Sequence, residues 1–440
     1  MPEGSFRFQV PTKRKGEGLN TEILRIAMIS MHSSPMGELG SRDTGGMSVY
    51  VREVARRLAR TGYAVDIFTR VQDPAGLENV QPFENVRVIH LPAGPAQPLP
   101  QLVLYGHLPE FFENLEHFRG VEGIEYDLVH SHYWLSGLIG RRARKRWKVP
   151  HVLMFHTLGA LKNRTTGSEK EPDLRITMEK QLATECDLIL AGTEREKRHL
   201  TELYGVLPQR IQVVPCGVDL ERFQPAARSE SRGRLGLNEP ERMILYVGRF
   251  DPIKGVDRLL AAAARLRRAV PLRVVLVGGG EEDAPEVRAL RALCSELSLE
   301  DCVTFAGRRS HGDLPDYYRA ADVLVLPSYY ESFGLVVLEA LASGTPVVAA
   351  RVGAVEDIVR NGVNGWVVSD NTSESLAEGV RRVLEQQGTQ RTTADAIRAT
   401  VEDYDWDFVA ASIDKEYRVL LGREDALDGT RAAAGGSVCR

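Results

Sequence analysis

The sequence predicts an α/β protein made of two doubly wound, parallel-sheet halves that face each other across a central cleft. Three observations predict it. Between residues 24 and 215, short apolar runs of strand length alternate with segments of helical apolar period, the pattern of parallel strands joined by crossover helices. A second alternation begins at Met243, after residues 224–240 (QPAARSESRGRLGLNEP) lose periodicity. Glycines, histidines and cations then gather just beyond the apolar runs, where open parallel sheets bind ligands. The halves share a plan but no sequence repeat.

Bulk properties narrow the function. The chain has 440 residues, 43% apolar and 26% charged, with a net charge of −4. It is therefore expected to be globular, with two or three domains and no nucleic-acid partner. Its five cysteines, Cys186, Cys216, Cys294, Cys302 and Cys439, are scattered without a C-x-x-C. That usage fits a reduced, cytoplasmic chain better than a disulfide framework. Neither a signal peptide nor an apolar run of about eighteen residues is present, so no transmembrane segment is expected. Residues 1–20 read as a flexible arm and 428–440 as a frayed tail.

In the first half, the run at 24–30 leads to His32 and a long polar turn, after which Gly45-Gly46 opens a helix reaching Gly62. A glycine pair at a helix start can hold a phosphate or a sugar leaving group, or can simply make a tight turn. Further strands are expected at 64–70, 86–91, 127–132, 151–156, 188–193 and 211–215. Their carboxyl ends collect His32, Gly46, His132, Tyr133, His156 and Thr157 along one edge, a candidate site. Arg175, on a helix over 173–185 and downstream of Lys162 and Asn163, forms a cationic corner for a phosphate or else a solvated helix face.

In the second half, the strand at 243–249 ends in Gly248-Arg249 and a turn containing Lys254. Two cations there can neutralise a diphosphate, or can be ordinary loop charges. Strands at 272–277 and 303–307 follow, the second trailed by Arg308-Arg309, and Arg308 joins the candidate anion-binding set. The pivotal stretch is YYESFGLVVLEALASG, residues 329–344, a turn and a helix opening at Phe333-Gly334 after the strand at 322–328. Gly334 permits close backbone approach, and the free amides of Gly334, Leu335 and Val336 at a helix start favour an anion. Glu331 and Glu339, about 12 Å of helix rise apart, suit hydroxyls at the two ends of a sugar diphosphate. The plainer reading is a capping Glu and a surface Glu. A strand at 346–350 and helices at 373–387, 392–404 and 405–421 complete the chain.

Glu331 and Glu339 in E-S-F-G-L-V-V-L-E resemble the E-x7-E motif of retaining glycosyltransferases of family 4, which have the GT-B fold. Gly248-Arg249 with Lys254, Gly344-Thr345-Pro346 and Asn361-Gly362-x-x-Gly365 are similar to other motifs of that family. MISMHSSP, DTGGMSVYVREVARRL, HSHYWLSG and HTLGALKN most resemble the D-inositol-3-phosphate glycosyltransferases, with sucrose-phosphate synthases close by. The resemblance spans about residues 24–421. It implies an acceptor-binding domain over 21–225, a nucleotide-sugar domain over 239–404, and a helix over 405–422 returning to the first. It also implies roles: Arg249 and Lys254 on the donor diphosphate, Glu339 on ribose, Glu331 on the donor sugar, and amides of 334–336 on phosphate and sugar. Gly46 would sit by the leaving phosphate, His156 beneath the anomeric carbon, and Tyr133, Thr157 and Arg175 on an acceptor phosphate. Two departures stand out. Ser48 replaces the Asn of a G-G-M-N motif at the acceptor side, and no Lys occurs near Gln101, where the inositol-phosphate enzymes carry one.

The implied reaction is a retaining transfer from a UDP-type sugar, without a dedicated nucleophile. No D-x-D stands where a metal-dependent transferase would want one, so no metal and no cofactor are expected. Small molecules are the expected partners, with a homodimer possible in this family. Competing readings are a sucrose-phosphate synthase-like enzyme, a nucleotide-sugar epimerase and a non-catalytic sugar-nucleotide sensor.

Overall fold

Fourteen strands form two separate sheets among the described residues. The computed structural model describes residues 23–37, 44–73, 79–165, 170–237, 241–281, 284–389 and 393–423. The expected arm and tail, and Cys439, lie outside them. The first sheet contains β1 (Arg25–Ile29), β2 (Ala64–Arg70), β3 (Val80–Phe83), β4 (Val86–Leu91), β5 (Leu128–His132), β6 (His151–Met154), β7 (Leu188–Ala191) and β8 (Ile211–Val213). Their order is β3-β4-β2-β1-β5-β6-β7-β8, parallel except for the edge strand β3. The second contains β9 (Arg242–Gly248), β10 (Leu272–Gly278), β11 (Val303–Gly307), β12 (Val323–Leu326), β13 (Val347–Ala349) and β14 (Gly365–Val367), ordered β11-β10-β9-β12-β13-β14 and wholly parallel.

Each strand order reverses once, between β1 and β5 and between β9 and β12. Loops leaving the carboxyl ends of neighbouring strands there turn in opposite directions and open a crevice. Both crevices carry the sequence-selected residues. The central strands are buried on both faces, as their unbroken Val/Ile/Leu runs require.

Helix Trp406–Leu420 leaves the second sheet and lies along helix Gly46–Arg60 of the first. Trp406 meets Tyr50 edge-on, Arg57 Nε reaches Asp407 at 3.0 Å, Tyr63 donates to Asp414 at 2.6 Å, and the Tyr417 hydroxyl lies 2.6 Å from His130 Nδ1. Among the described residues no helix is long and apolar enough to cross a membrane, and the four described cysteines are free and buried.

Several expectations need correction. Residues 224–240 are not simply a linker, because helix Arg228–Arg234 sits within them. Ion pairs hold it: Arg228 and Arg232 both reach buried Asp322, at 2.6 and 2.7 Å, and Arg234 reaches Asp316. Such a helix leaves no apolar period to read. Strands β3 and β14 and the short helix Gln101–Gly106 were not anticipated. The helix expected over 392–404 ends at Ala399 and gives way to a single turn, Glu402–Tyr404.

Candidate functional site

Helix Leu335–Ala342 starts at Leu335, with Gly334 before it in a left-handed conformation (φ 99°) that a side chain would strain. Glu331 therefore lies in the turn, not in the helix. The 12 Å helix-rise separation is corrected to four residues of helix, about 6 Å, plus an irregular turn. Glu331 Oε1 accepts from Lys254 Nζ at 2.5 Å and from Ser328 Oγ at 3.0 Å. Lys254 ends a single turn, Pro252–Lys254, capped by Asp251, which accepts from Ile253 N. That turn presents Lys254 across from Glu331. Arg249, with 43% of its side chain exposed, stands 3.9 Å from Asp251. Arg308 donates to the Gly279 carbonyl at 2.9 Å. Phe333 is buried against the first lobe at Gly192.

Glu339 is 6% exposed, so it is not a surface residue. Its Oε1 lies 2.8 Å from His311 Nε2 and its Oε2 accepts from the Tyr318 hydroxyl at 2.6 Å. Burial alone would raise its pKa, but His311, Tyr318 and Arg222 together hold it below the ordinary glutamate value.

In the first lobe, β1, β5 and β6 deliver a buried group of imidazoles. His132 Nδ1 and His156 Nε2 are 2.9 Å apart. Burial pushes His32, His130 and His156 down to about 3 and depresses His132 strongly, so these rings are neutral at physiological pH. His156 and Tyr133 both have positive φ, 59° and 77°, a strain concentrated at functional turns. The Tyr133 hydroxyl donates to Gln101 at 2.7 Å, its ring lies under the Arg175 guanidinium, and burial pushes its pKa up to about 12.

Arg175 is 1% exposed on its side chain, which removes the solvated-face reading. It donates to Glu179 and to the Thr157 hydroxyl and carbonyl, and pairs with Glu171 at 2.9 Å. Lys162 also pairs with Glu171. The expected cationic corner is thus two cations matched by two carboxylates. Ser48 is buried with its hydroxyl 2.6 Å from Ser33 Oγ, linking its helix to the loop after β1.

The two crevices meet. A Cβ on Gly46 would come within 3.3 Å of Leu335 Cδ1, which places the start of helix Gly46–Arg60 directly against the start of helix Leu335–Ala342. Neither start has a side-chain cap or an acidic residue in its first turn. The uncapped amides and both macrodipoles therefore favour negative charge between the lobes. A cavity beside them is lined by His156, Thr193 and Glu196 from the first lobe and Tyr330, Glu331 and Ser332 from the second. Leu158 N donates to the Tyr330 hydroxyl across it. Thr193 caps helix Glu194–Tyr204 by accepting from Glu196 N, the Glu196 carboxylate accepts from Gly192 N just before the cap, and burial lifts the Glu196 pKa to about 7. Among the described residues, no group of three His, Cys, Asp or Glu could hold a metal ion.

Residues 44–222 match the family described as Glycosyltransferase Family 4, and residues 227–400 match Glycosyl transferases group 1. The D-inositol 3-phosphate glycosyltransferase of Geodermatophilus obscurus is 41% identical, covering 94% of this chain and 97% of the relative. That of Nocardioides sp. is 38% identical, covering 94% of each. The chain belongs to glycosyltransferase family 4. Sucrose-phosphate synthase from Thermosynechococcus elongatus superposes on this glycosyltransferase with a TM-score of 0.84 at 33% identity, covering 91% of this chain and 99% of that one. Anabaena Alr3699/HepE, solved with UDP and glucose, shares the fold at a TM-score of 0.72 and 21% identity, over 90% of this chain and all of that one. The glycosyltransferase thus has the GT-B architecture, and its two switch-point crevices form one interlobe cleft.

The site residues that sequence reasoning missed are His311, Tyr318, Arg222 and Glu196. Glu196 had a signal, the capping spacing Thr193-x-x-Glu196. His311 sits in an irregular turn with no periodic signal.

Proposed function

We propose that this glycosyltransferase moves a hexosyl group, with retention, from a UDP-sugar to inositol 3-phosphate. The observation that carries the reading is the meeting of two uncapped helix starts, at Gly46 and Leu335, beside Lys254 and Arg249. Departure of the nucleoside diphosphate places negative charge between those helices, and preorganised amides and cations stabilise it without reorganising. Lys254 is held by Glu331 until a diphosphate arrives, and Arg249 is exposed enough to reach it. Glu331 then accepts from donor-sugar hydroxyls, and Glu339 accepts from ribose. His156, neutral and fixed by His132, offers a polar but uncharged surface to the anomeric carbon. Tyr133, Thr157 and Arg175 hold the acceptor. The acceptor hydroxyl attacks from the face the leaving group vacates, and its proton passes to a leaving phosphate oxygen. No side-chain nucleophile and no metal ion take part.

A second acceptor is favoured by one feature. Gln101, bonded to Tyr133, brings no positive charge to an acceptor corner whose charges already balance. With the sucrose-phosphate synthase likeness, this supports fructose 6-phosphate as the alternative. The deciding experiment is a donor-by-acceptor matrix. UDP-glucose, UDP-N-acetylglucosamine and GDP-mannose are each paired with inositol 3-phosphate, fructose 6-phosphate and glycerate, with the anomeric configuration of the product determined. Transfer from UDP-N-acetylglucosamine or UDP-glucose to inositol 3-phosphate with retention is expected. Donor binding without transfer to any acceptor, or an inverted product, would overturn the reading.

A further inference from the structure

His311 stands in the turn between β11 and helix Leu314–Ala320, with both ring nitrogens occupied. Nε2 lies 2.8 Å from Glu339 Oε1. Nδ1 lies 2.6 Å from Arg222 Nη1 and 3.4 Å from Arg52 Nη2. A guanidinium can only donate, so Nδ1 must accept and carries no proton. The ring proton is then on Nε2 and is donated to Glu339. The arginines set the tautomer, and the tautomer fixes the carboxylate.

The two arginines come from different parts of the chain. Arg52 belongs to helix Gly46–Arg60 of the first lobe. Arg222 lies in the connection between the sheets, where its carbonyl and that of Gln224 accept from Arg319. Phe223, the next residue, meets the His311 ring edge-on. His311 is thus touched at once by the first lobe, the connection and Glu339 of the second lobe.

We propose that His311 is the positioning residue for the donor ribose. It holds Glu339 in the orientation that accepts the two ribose hydroxyls, and it does so while Arg222 and Arg52 lie against Nδ1. This rests on the reading that Glu339 binds ribose. A carboxylate has roughly four lone-pair directions; His311 and Tyr318 use two, and the others remain for the 2′ and 3′ hydroxyls. Because Arg52 rides on the first lobe, full order at the ribose site depends on the lobes being together.

Calorimetric titration of the full chain with UDP and with 2′,3′-dideoxy-UDP tests this. The wild-type protein should prefer UDP by at least about ten-fold, since removing both hydroxyls strands a buried carboxylate. His311→Ala should reduce that preference to about three-fold or less, with dideoxy-UDP affinity changed by no more than about two-fold. His311→Gln, whose amide can both donate to Glu339 and accept from Arg222, should recover most of it. Arg222→Ala leaves the imidazole in place and should lower the preference several-fold, a check that does not depend on the alanine protein at 311 folding. Preference lost in Glu339→Gln but fully kept in His311→Ala, or in Arg222→Ala should the first not fold, overturns the inference alone. A wild-type protein that binds both nucleotides equally overturns the ribose role of Glu339, and His311's role with it.

Discussion

Replacing Lys254 with methionine keeps the length of the side chain and removes its charge. The ammonium lies 2.5 Å from Glu331 Oε1, and both side chains are largely buried. Once the donor is bound, Lys254 faces the diphosphate both before and after the glycosidic bond breaks, so that standing attraction to first order cancels from the barrier. What changes is the negative charge arriving on the departing phosphate. An ammonium about 4 Å away, at an effective dielectric of about 20, stabilises a unit charge by about 4 kcal/mol. That corresponds to about a thousand-fold in rate, and losses from deleting one preorganised donor run to about 100- to 1,000-fold. Under saturating donor, kcat of Lys254→Met should therefore fall at least about 100-fold. The variant should also lose about 1–3 kcal/mol of stability, because Glu331 keeps only the Ser328 hydroxyl. Steady-state kinetics and thermal melts read the two effects separately. Adding Glu331→Gln should return the melting temperature towards wild type while turnover stays low. A Lys254→Met enzyme with kcat within about three-fold of wild type would refute the electrostatic argument.

Four further outcomes are expected. Arg249→Ala should lower kcat/KM by about 100-fold with little change in melting temperature, since the side chain is 43% exposed and its approach to Asp251 is long, at 3.9 Å; equal turnover would count against a leaving-group role. His32, His130 and His156, held near 3 in the folded protein against 6.5 in the unfolded chain, take up protons on unfolding. Stability is therefore full above pH 6.5 and falls as pH drops towards 3, by about 1.4 kcal/mol per pH unit for each ring; chemical denaturation at pH 7.5 and 5 should show that loss, and a flat profile would contradict neutral burial. Gly46→Val adds bulk where even a Cβ would lie 3.3 Å from Leu335, so kcat/KM should fall at least about ten-fold with little change in the melting curve. Turnover in excess EDTA should match that in buffer alone, and loss restored by a divalent cation would reverse the metal-free mechanism.

Much of the architecture is written locally. Buried parallel strands need unbroken apolar runs, and the cleft follows from where those runs end, so His156, Glu331 and Lys254 could be placed at strand ends from the chain alone. Tertiary ionic contacts are what the sequence conceals. Helix Arg228–Arg234 is held by Asp322 and Asp316, roughly ninety residues away, and nothing near it in sequence advertises them. Arg175 is a partial exception: Glu179 stands four residues further along helix Asp173–Glu185, and that spacing is a legible sign of a compensated cation, whereas Glu171 precedes the helix. Glu339 looked like a helix-face carboxylate because its partners, His311 and Tyr318, come from another turn and another helix.

The polypeptide passes between the lobes twice, and the two passages lie side by side: Val218 bridges Asp405, and Val218 N donates to Tyr404 O at 2.8 Å. The last helix then closes the core of the lobe that the chain left long before, with Trp406 against Gly217 and Tyr50. The first lobe is therefore built from two separate pieces of sequence, and the second is one continuous segment between them. A chimaera that exchanges its second lobe with that of a relative must splice at both passages and keep the first lobe with its own C-terminal helix. A single crossover near residue 225 would instead leave Tyr50, His130 and Arg57 facing a stranger's helix.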